Sequence, residues 1–277
     1  MTPKNAIAFL GPAGTFAHFV AQRRFGTRRR LVPRPTVKRV IDYVRQDRSR
    51  LGVVPIENSS GGAIVDTVAE LVDPASNLFI REALSVNVKL ALLGRDRKNV
   101  RVIYSHFAPL QHCETWLNDH FPAAELREEA STAVAMQKAA AEPGAAAIGN
   151  RLAAGIYKLR VLEYPIRSDV RNVTQFVVVG HPDKTPPDSS RTSIVVTLPN
   201  TSGSLCDFLT PFKTEGVNLS RIISRPIVGR PASYLFVIDI EGTENQPRVH
   251  RALQAGRAVS SSVKLIGVYP VRPAYDS

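Results

Sequence analysis

Short apolar runs alternate with amphipathic stretches through the first two thirds of the chain, and junctions rich in Gly, Ser and Asn separate them. Residues 6–10 form an apolar run that predicts a strand, followed by Gly11-Pro12-Ala13-Gly14-Thr15-Phe16 and a helical pattern over 17–25. The same unit recurs as a strand over 51–56, the polar stretch Glu57-Asn58-Ser59-Ser60-Gly61-Gly62 and a helix over 63–71. A third copy has a strand over 100–104, then Ser105-His106 and a helix over 110–117; a fourth has 145–148, Gly149-Asn150 and a helix over 151–157. Strands alternating with helices predict an α/β fold around a largely parallel sheet with both faces covered. Ligands of such sheets bind in loops at the carboxyl ends of strands, where helix N-termini offer free N–H groups to an anion.

The pattern changes after residue 180. Residues 181–191 read His-Pro-Asp-Lys-Thr-Pro-Pro-Asp-Ser-Ser-Arg, a polar, Pro-rich composition that marks a boundary. Beyond it, strand patterns over 192–198, 218–224, 234–240 and 263–268 and helix patterns over 203–215 and 247–258 predict the βαββαβ order of a ferredoxin-like domain. That part carries no acid, base and nucleophile set, which points to binding or assembly.

At 277 residues and 44% apolar composition, the chain is long enough for one or two buried cores. No apolar run approaches the roughly 18–20 residues that span a bilayer, and the N-terminus lacks a secretory signal, so the cytoplasm is the expected compartment. Cys113 and Cys206 stand far apart, outside any CxxC or Cys/His cluster, and both read as reduced packing cysteines. The formal charge of +12 admits nucleic acid or an anionic small molecule as partner. Much of it falls within 23–50, including Arg28, Arg29 and Arg30, without the interleaved aromatics of a single-strand platform. This argues against nucleic acid and for a solvated basic face.

The Gly11 to Gly14 loop lacks both a Lys-Ser/Thr ending and full G-x-G-x-x-G spacing, which argues against a nucleotide loop. Polar side chains after a strand at Asn58 and Ser59, repeated in kind at Ser105-His106 and Ser131-Thr132, predict a hydroxyl-lined anion pocket, although helix capping accounts for any one of them. His18, His106 and His112 are candidates for proton transfer, with structural roles as the alternative. Asn172-Val173-Thr174-Gln175-Phe176 leads into the apolar run 177–179 and reads either as a turn into an edge strand or as part of a site.

Taken in order, Gly11-Pro12-Ala13-Gly14-Thr15-Phe16, Val54-Pro55-Ile56-Glu57-Asn58-Ser59, Tyr104-Ser105-His106, Ser131-Thr132-Ala133 and Asn172-Val173-Thr174-Gln175-Phe176 resemble the signatures of prephenate dehydratases. Leu198-Pro199-Asn200, Gly203-Ser204-Leu205 and Ser224-Arg225-Pro226 look like the phenylalanine-sensing ACT domain fused to those enzymes. The resemblance implies a catalytic domain over 1–181, built as two lobes like a periplasmic binding protein with a cleft between them. A linker over 182–191 and an ACT regulatory domain over 192–277 would follow. It implies decarboxylative dehydration of prephenate to phenylpyruvate in phenylalanine biosynthesis, with no cofactor, L-phenylalanine as effector and a homodimer or homotetramer. By the same match Thr174 is the catalytic residue, and Thr15, Asn58, Ser59, Ser105, Ser131, Thr132, Gln175 and Phe176 meet the substrate. The effector would meet Asn200, Gly203, Ser204, Leu205, Asn218, Ser224, Arg225 and Pro226.

The chain departs from the family pattern where it counts. Gln175 replaces the arginine of the usual Thr-Arg-Phe, exchanging a charged bidentate fork for a neutral amide, and Lys89 is a candidate replacement cation. Ile223 replaces a glutamate before Ser224-Arg225-Pro226. These departures keep open a paralogue acting on arogenate or in a related prephenate reaction, and a catalytically weak sensor of an aromatic amino acid.

Overall fold

The computed structural model describes residues 6–26, 29–227, 229–230 and 233–277, so Arg28 lies outside it. The chain begins with β1 (Ile7–Leu10), α1 (Phe16–Phe25), β2 (Leu31–Arg34), α2 (Val37–Arg45), β3 (Leu51–Asn58), β4 (Gly62–Ala63), α3 (Val65–Val72) and β5 (Phe79–Asn87). It continues with β6 (Ala91–Gly94), β7 (Val102–Ser105), α4 (Phe107–His112), α5 (Glu114–His120), β8 (Glu125–Glu128), α6 (Thr132–Ala141) and β9 (Ala145–Gly149). Next come α7 (Ala153–Tyr157), β10 (Arg160–Glu163), β11 (Val173–Gly180), β12 (Arg191–Thr197), α8 (Ser204–Thr214) and β13 (Leu219–Pro226). The last elements are β14 (Tyr234–Glu241), α9 (Pro247–Ala258), β15 (Ser262–Tyr269) and β16 (Tyr275–Asp276). Among the described residues no helix is long and apolar enough to cross a membrane.

The chain forms two compact units. The first contains the described residues up to Ile64, Leu84–Phe176 and Pro273–Ser277; the second contains Val65–Ala83 and Val177–Arg272. These units cut the chain differently from a linear boundary at 181, and the division falls inside β5 and inside β11.

The first unit holds two sheets. One has the order β16-β5-β11-β3-β1-β2, with β1 parallel to both β2 and β3. The other has the order β10-β6-β9-β7-β8, where β7 is parallel to β8 and β9 while β6 runs antiparallel to β9 and β10. The largely parallel arrangement read from the βα repeats is spread over two sheets, and both are mixed, because β4 runs antiparallel to β3 in the first and β6 antiparallel to its neighbours in the second. In the second sheet the reversed strand is β6, which is joined to the next strand of that sheet, β7, through residues 95–101 with no helical crossover to force a parallel approach.

Period-two alternation explains how the second sheet is covered on both sides. Leu93, Val102, Tyr104, Ala145 and Ala147 share a core with Ala135, Met136 and Ala139 of α6. Their sequence neighbours Leu92, Ile103, Ala146 and Ile148 pack instead with Leu110, Trp116 and Leu117 of α4 and α5. The helix expected over 110–117 is split at Cys113, whose N–H bonds the carbonyls of Pro109 and Leu110. Cys113 is a packing cysteine as expected, its thiol pushed up to about 12 by burial and the nearby Asp169 carboxylate. Cys206 is exposed on α8, contrary to expectation.

The C-terminal tail belongs to the first unit. Asp276 accepts from Asn87 Nδ2 at 3.0 Å and pairs with Lys89 Nζ at 3.3 Å, and Tyr164 Oη donates to the Ser277 carbonyl.

The second unit contains β12-α8-β13-β14-α9-β15, the expected βαββαβ order, as a sheet ordered β13-β14-β12-β15 with antiparallel neighbours. Phe208, Phe212, Val249 and Leu253 of α8 and α9 pack on Ile194, Val196, Ile238 and Ile240. Residues 65–83 belong here because Lys264 Nζ donates to the carbonyls of Asp73 and Ser76 at 3.2 and 2.9 Å, and Ala83 N–H to that of Pro270 at 3.1 Å.

Candidate active site

The side chains expected to bind substrate converge in part. Two adjoining cavities of about 710 and 240 Å³ share Thr15, Phe16, Ala130, Ser131 and Thr174. Both sheets of the first unit contribute: the β1–α1 loop, the end of β3 and the start of β11 from one, and the loops before α4 and α6 from the other.

Asn58 and Thr174 organise the polar end. Asn58 Nδ2 donates to Thr174 Oγ1 at 2.8 Å and to Asn172 Oδ1 at 2.8 Å. Asn58 Oδ1 accepts from Ser60 N at 2.9 Å, Ser60 Oγ at 2.6 Å and Gly61 N at 3.1 Å. The polar stretch after β3 therefore closes a tight turn into β4 and does not cap α3. Asn172 Nδ2 lies 3.2 Å from His112 Nδ1; an amide nitrogen donates, so the ring nitrogen accepts and His112 carries its proton on Nε2. Burial lowers the His112 pKa, which favours that neutral form. Thr174 Oγ1 thus accepts one bond from a donor fixed in place, and its own proton is free for a ligand. Asn172 was absent from the expected site residues, although the sequence motif containing it was recognised.

Thr15 and Ser131 both line the cavities as N-caps. Thr15 Oγ1 accepts from His18 N at 3.2 Å and donates to Leu10 O at 3.0 Å, and Ser131 Oγ accepts from Val134 N at 3.2 Å. Thr132 lines the smaller cavity with Asn58 and Asn172, and Phe176 lines the larger. The Gly11 to Thr15 loop is braced where Tyr157 Oη donates to Ala13 O at 2.6 Å; Gly14 there has φ +94°, and a Cβ on it would lie 3.0 Å from the Tyr157 ring.

Three of the residues expected to meet the substrate line neither cavity. Ser59 lines neither cavity, because its hydroxyl donates to Arg171 O at 3.1 Å and accepts from Val173 N at 2.9 Å, tying β3 to the start of β11. Ser105 is fully buried and donates to Ile148 O at 2.8 Å, joining β7 to β9. Gln175 lines neither cavity, since strand alternation puts it on the face of β11 opposite Thr174 and Phe176. Lys89 is committed to Asp276. Arg34, unforeseen, lines the larger cavity.

The histidines divide as well. His18 stacks on Phe9 with ring centroids 4.9 Å apart, accepts from Gly14 N at 3.1 Å and has its pKa lowered by burial, so it is a brace for the loop. His106 lines the smaller cavity and caps α4 through its Nδ1, which accepts from Ala108 N at 3.4 Å. Arg34 and His106 are the only ionisable side chains lining either cavity among the described residues. No described group of three or more His, Cys, Asp or Glu residues has the arrangement of a metal site.

In the second unit, register places one set of expected effector residues together and separates another. Thr197 at the end of β12 and Arg225 on β13 both pair with Leu235 of β14, so the β12–α8 loop with Asn200 and Gly203, and the start of α8 with Ser204 and Leu205, follow from the same end of the sheet as Ser224, Arg225 and Pro226. Asn218 precedes β13 and lies at the opposite end of that strand. Arg225 Nη1 donates to Val65 O at 2.8 Å.

The profile of the prephenate dehydratase family matches residues 7–184. A prephenate dehydratase of Amycolatopsis methanolica is 33% identical over 270 residues, covering 96% of this chain and 88% of that protein. The solved structure of prephenate dehydratase from Arthrobacter aurescens in complex with L-Phe superposes with a TM-score of 0.86 at 30% identity, over 96% of this chain and 89% of that one. A solved structure described as GqqA, a novel type of quorum quenching acylase, superposes with a TM-score of 0.89 at 26% identity, over 97% and 98% of the two chains.

Proposed function

The chain belongs to the prephenate dehydratase family, and from this we infer that the cleft around Thr174 converts prephenate to phenylpyruvate, carbon dioxide and water. The ring carboxylate leaves as carbon dioxide, its bonding pair enters the ring, and the ring C–O bond breaks as hydroxide departs and takes up a proton from solvent. Aromatisation supplies the driving force, so the protein must chiefly hold a dianion and stabilise the departing oxygen. The carrying observation is the 2.8 Å bond from Asn58 Nδ2 to Thr174 Oγ1, which leaves the threonine proton to be donated to that oxygen. A hydroxyl is too weak an acid to transfer its proton fully, and its contribution is a hydrogen bond that strengthens as charge develops. The reaction as written calls on no metal or organic cofactor.

The fold of the catalytic part reads as two lobes in the manner of a periplasmic binding protein, and residues 192–277 as an ACT module that binds L-phenylalanine, joined by a linker over 182–191. The βαββαβ order and the L-Phe complex of the Arthrobacter relative support this. Asn218 lies a strand's length from Gly203, so one chain does not bring all the expected effector contacts together. Pairing of two copies along the β13 edge would join them, in keeping with a dimer or tetramer.

The likeness to an acylase supports a second reading, cleavage of an acyl amide. That chemistry needs a nucleophile activated by a base. Among the described residues no serine or cysteine side chain of the cleft is hydrogen-bonded to a histidine side chain; Ser131 caps α6, and His106 caps α4. The geometry therefore favours elimination. Purified protein given prephenate should form phenylpyruvate, followed by its enolate absorbance in alkali, and Thr174→Ala should remove most turnover. Turnover of arogenate alone, or release of amine from an acyl amide without phenylpyruvate formation, would replace this reading.

A further inference from the structure

Prephenate carries two carboxylates, whereas the cavity beside Thr174 is lined by a single cationic side chain that is always charged, Arg34. Building on the prephenate reading above, we propose that the Arg34 guanidinium binds the side-chain carboxylate of the substrate, the task that Gln175 cannot perform from the opposite face of β11. Arg34 ends β2, and its carbonyl accepts from Gly11 N at 2.8 Å, which locks its main chain to the loop that carries Thr15. Its guanidinium carbon lies 4.6 Å from the centre of the Tyr43 ring, and Arg50 stacks on the same ring at 4.3 Å. Stacking engages the flat face of a guanidinium and leaves its in-plane N–H fork open to a carboxylate. No described carboxylate pairs with Arg34. Asp42, which shares a surface depression with it, is instead paired with Lys38 at 3.6 Å and Arg45 at 3.4 Å. The cavity thus keeps a half-buried, pre-positioned cation at its rim, with walls otherwise uncharged.

The chemistry selects which carboxylate this cation should hold. The ring carboxylate must surrender its charge in the transition state, so an ion pair there would stabilise the ground state more than the transition state and slow the reaction. The side-chain carboxylate keeps its charge throughout. Gripping it binds both states equally, which lowers KM and leaves kcat alone. Apolar walls from Phe16, Pro33, Pro55 and Phe176 suit a carboxylate on its way to neutral carbon dioxide.

The test compares wild type, Arg34→Gln and Arg34→Lys by steady-state kinetics with prephenate, by product inhibition with phenylpyruvate, and by thermal midpoint. Phenylpyruvate retains the side-chain carboxylate and has lost the other. Arg34→Gln should raise both the KM for prephenate and the inhibition constant of phenylpyruvate by about 10- to 100-fold, with kcat within about threefold and the midpoint unchanged. Arg34→Lys should recover part of the loss. An unchanged KM overturns the inference, as does a raised KM with an unchanged phenylpyruvate constant, which would put the grip on the other carboxylate. A loss of kcat that tracks a lowered midpoint would make Arg34 structural and also overturn it. A wild-type protein inert toward prephenate overturns the functional reading and this inference with it, whereas an active wild type with an indifferent Arg34→Gln overturns this inference alone.

Discussion

Asn58→Asp reverses the polarity of one contact and leaves the shape of the site almost unaltered. The new carboxylate keeps the three acceptor bonds from Ser60 N, Ser60 Oγ and Gly61 N, so the turn after β3 persists. Its other oxygen replaces the donor that sits 2.8 Å from both Thr174 Oγ1 and Asn172 Oδ1. Thr174 has one proton and must now give it to residue 58, which removes it from the departing hydroxyl. Loss of one such transition-state donor costs about 2.7–4 kcal/mol, or 10²- to 10³-fold in kcat. The oxygen facing Asn172 Oδ1 adds a folding penalty of about 1–3 kcal/mol for an unsatisfied pair, because Asn172 is held in its present orientation by His112. KM should also rise, since a new negative charge meets a dianion. Thr174→Val provides the control: kcat should fall by a similar factor while KM stays near wild type. The double variant should be no slower than the slower single one, because both remove the same donor. Phenylpyruvate formation measures all three variants, and an Asn58→Asp enzyme retaining kcat within about threefold, or losses that multiply in the double variant, would refute the reasoning.

Other expectations separate support from chemistry. Ser105→Ala should cost about 1–2 kcal/mol in denaturant unfolding, because it leaves the Ile148 carbonyl without its buried donor, while kcat changes little. Gly14→Ala should cost about 1–3 kcal/mol and depress activity, since φ +94° is strained for alanine and the new methyl meets Tyr157 and Ala153; Gly26→Ala, also at positive φ but in open space, should leave activity intact. His112 has its folded pKa lowered by burial, so between that value and the ordinary histidine value of about 6.5 the unfolded chain binds the extra proton. Stability should therefore be full above about pH 6.5 and decline as the pH falls toward the folded pKa, and His112→Gln should flatten that decline in unfolding curves measured from pH 7.5 down to 5.5.

The candidate site was legible in its motifs, while which side chains of those motifs face the cavities was legible only in part. Thr15, Asn58, Ser131, Thr132, Thr174 and Phe176 line the cavities, and each belongs to a motif named from the sequence. The position of Gln175 was readable too, since Thr174 and Phe176 on one face of a strand leave the residue between them on the other. Ser59 and Ser105 were not separable from Ser131 in this way. A hydroxyl after a strand can face a ligand, cap a helix or bond a neighbouring carbonyl, and which of these happens depends on a partner distant in sequence. For Ser105 that partner is Ile148, and for Ser59 it is Arg171 and Val173. Arg34 was hidden for a related reason, because it stands in a basic stretch where composition makes every arginine look alike.

Local periodicity determined the elements of the chain: apolar runs of strand length, capped helical stretches and the βαββαβ order each follow from the spacing of buried positions and the turn residues between them. Ordered motifs determined the family. The tertiary structure decided what periodicity does not encode, namely how the strands divide between two sheets, the assignment of residues 65–83 and 273–277 to units remote in sequence, and the direction of the Thr174 proton. Each depends on pairings between residues far apart along the chain, such as Asn58 with Thr174, Asn172 with His112 and Lys264 with Asp73, whose energies exist only once the backbone has closed.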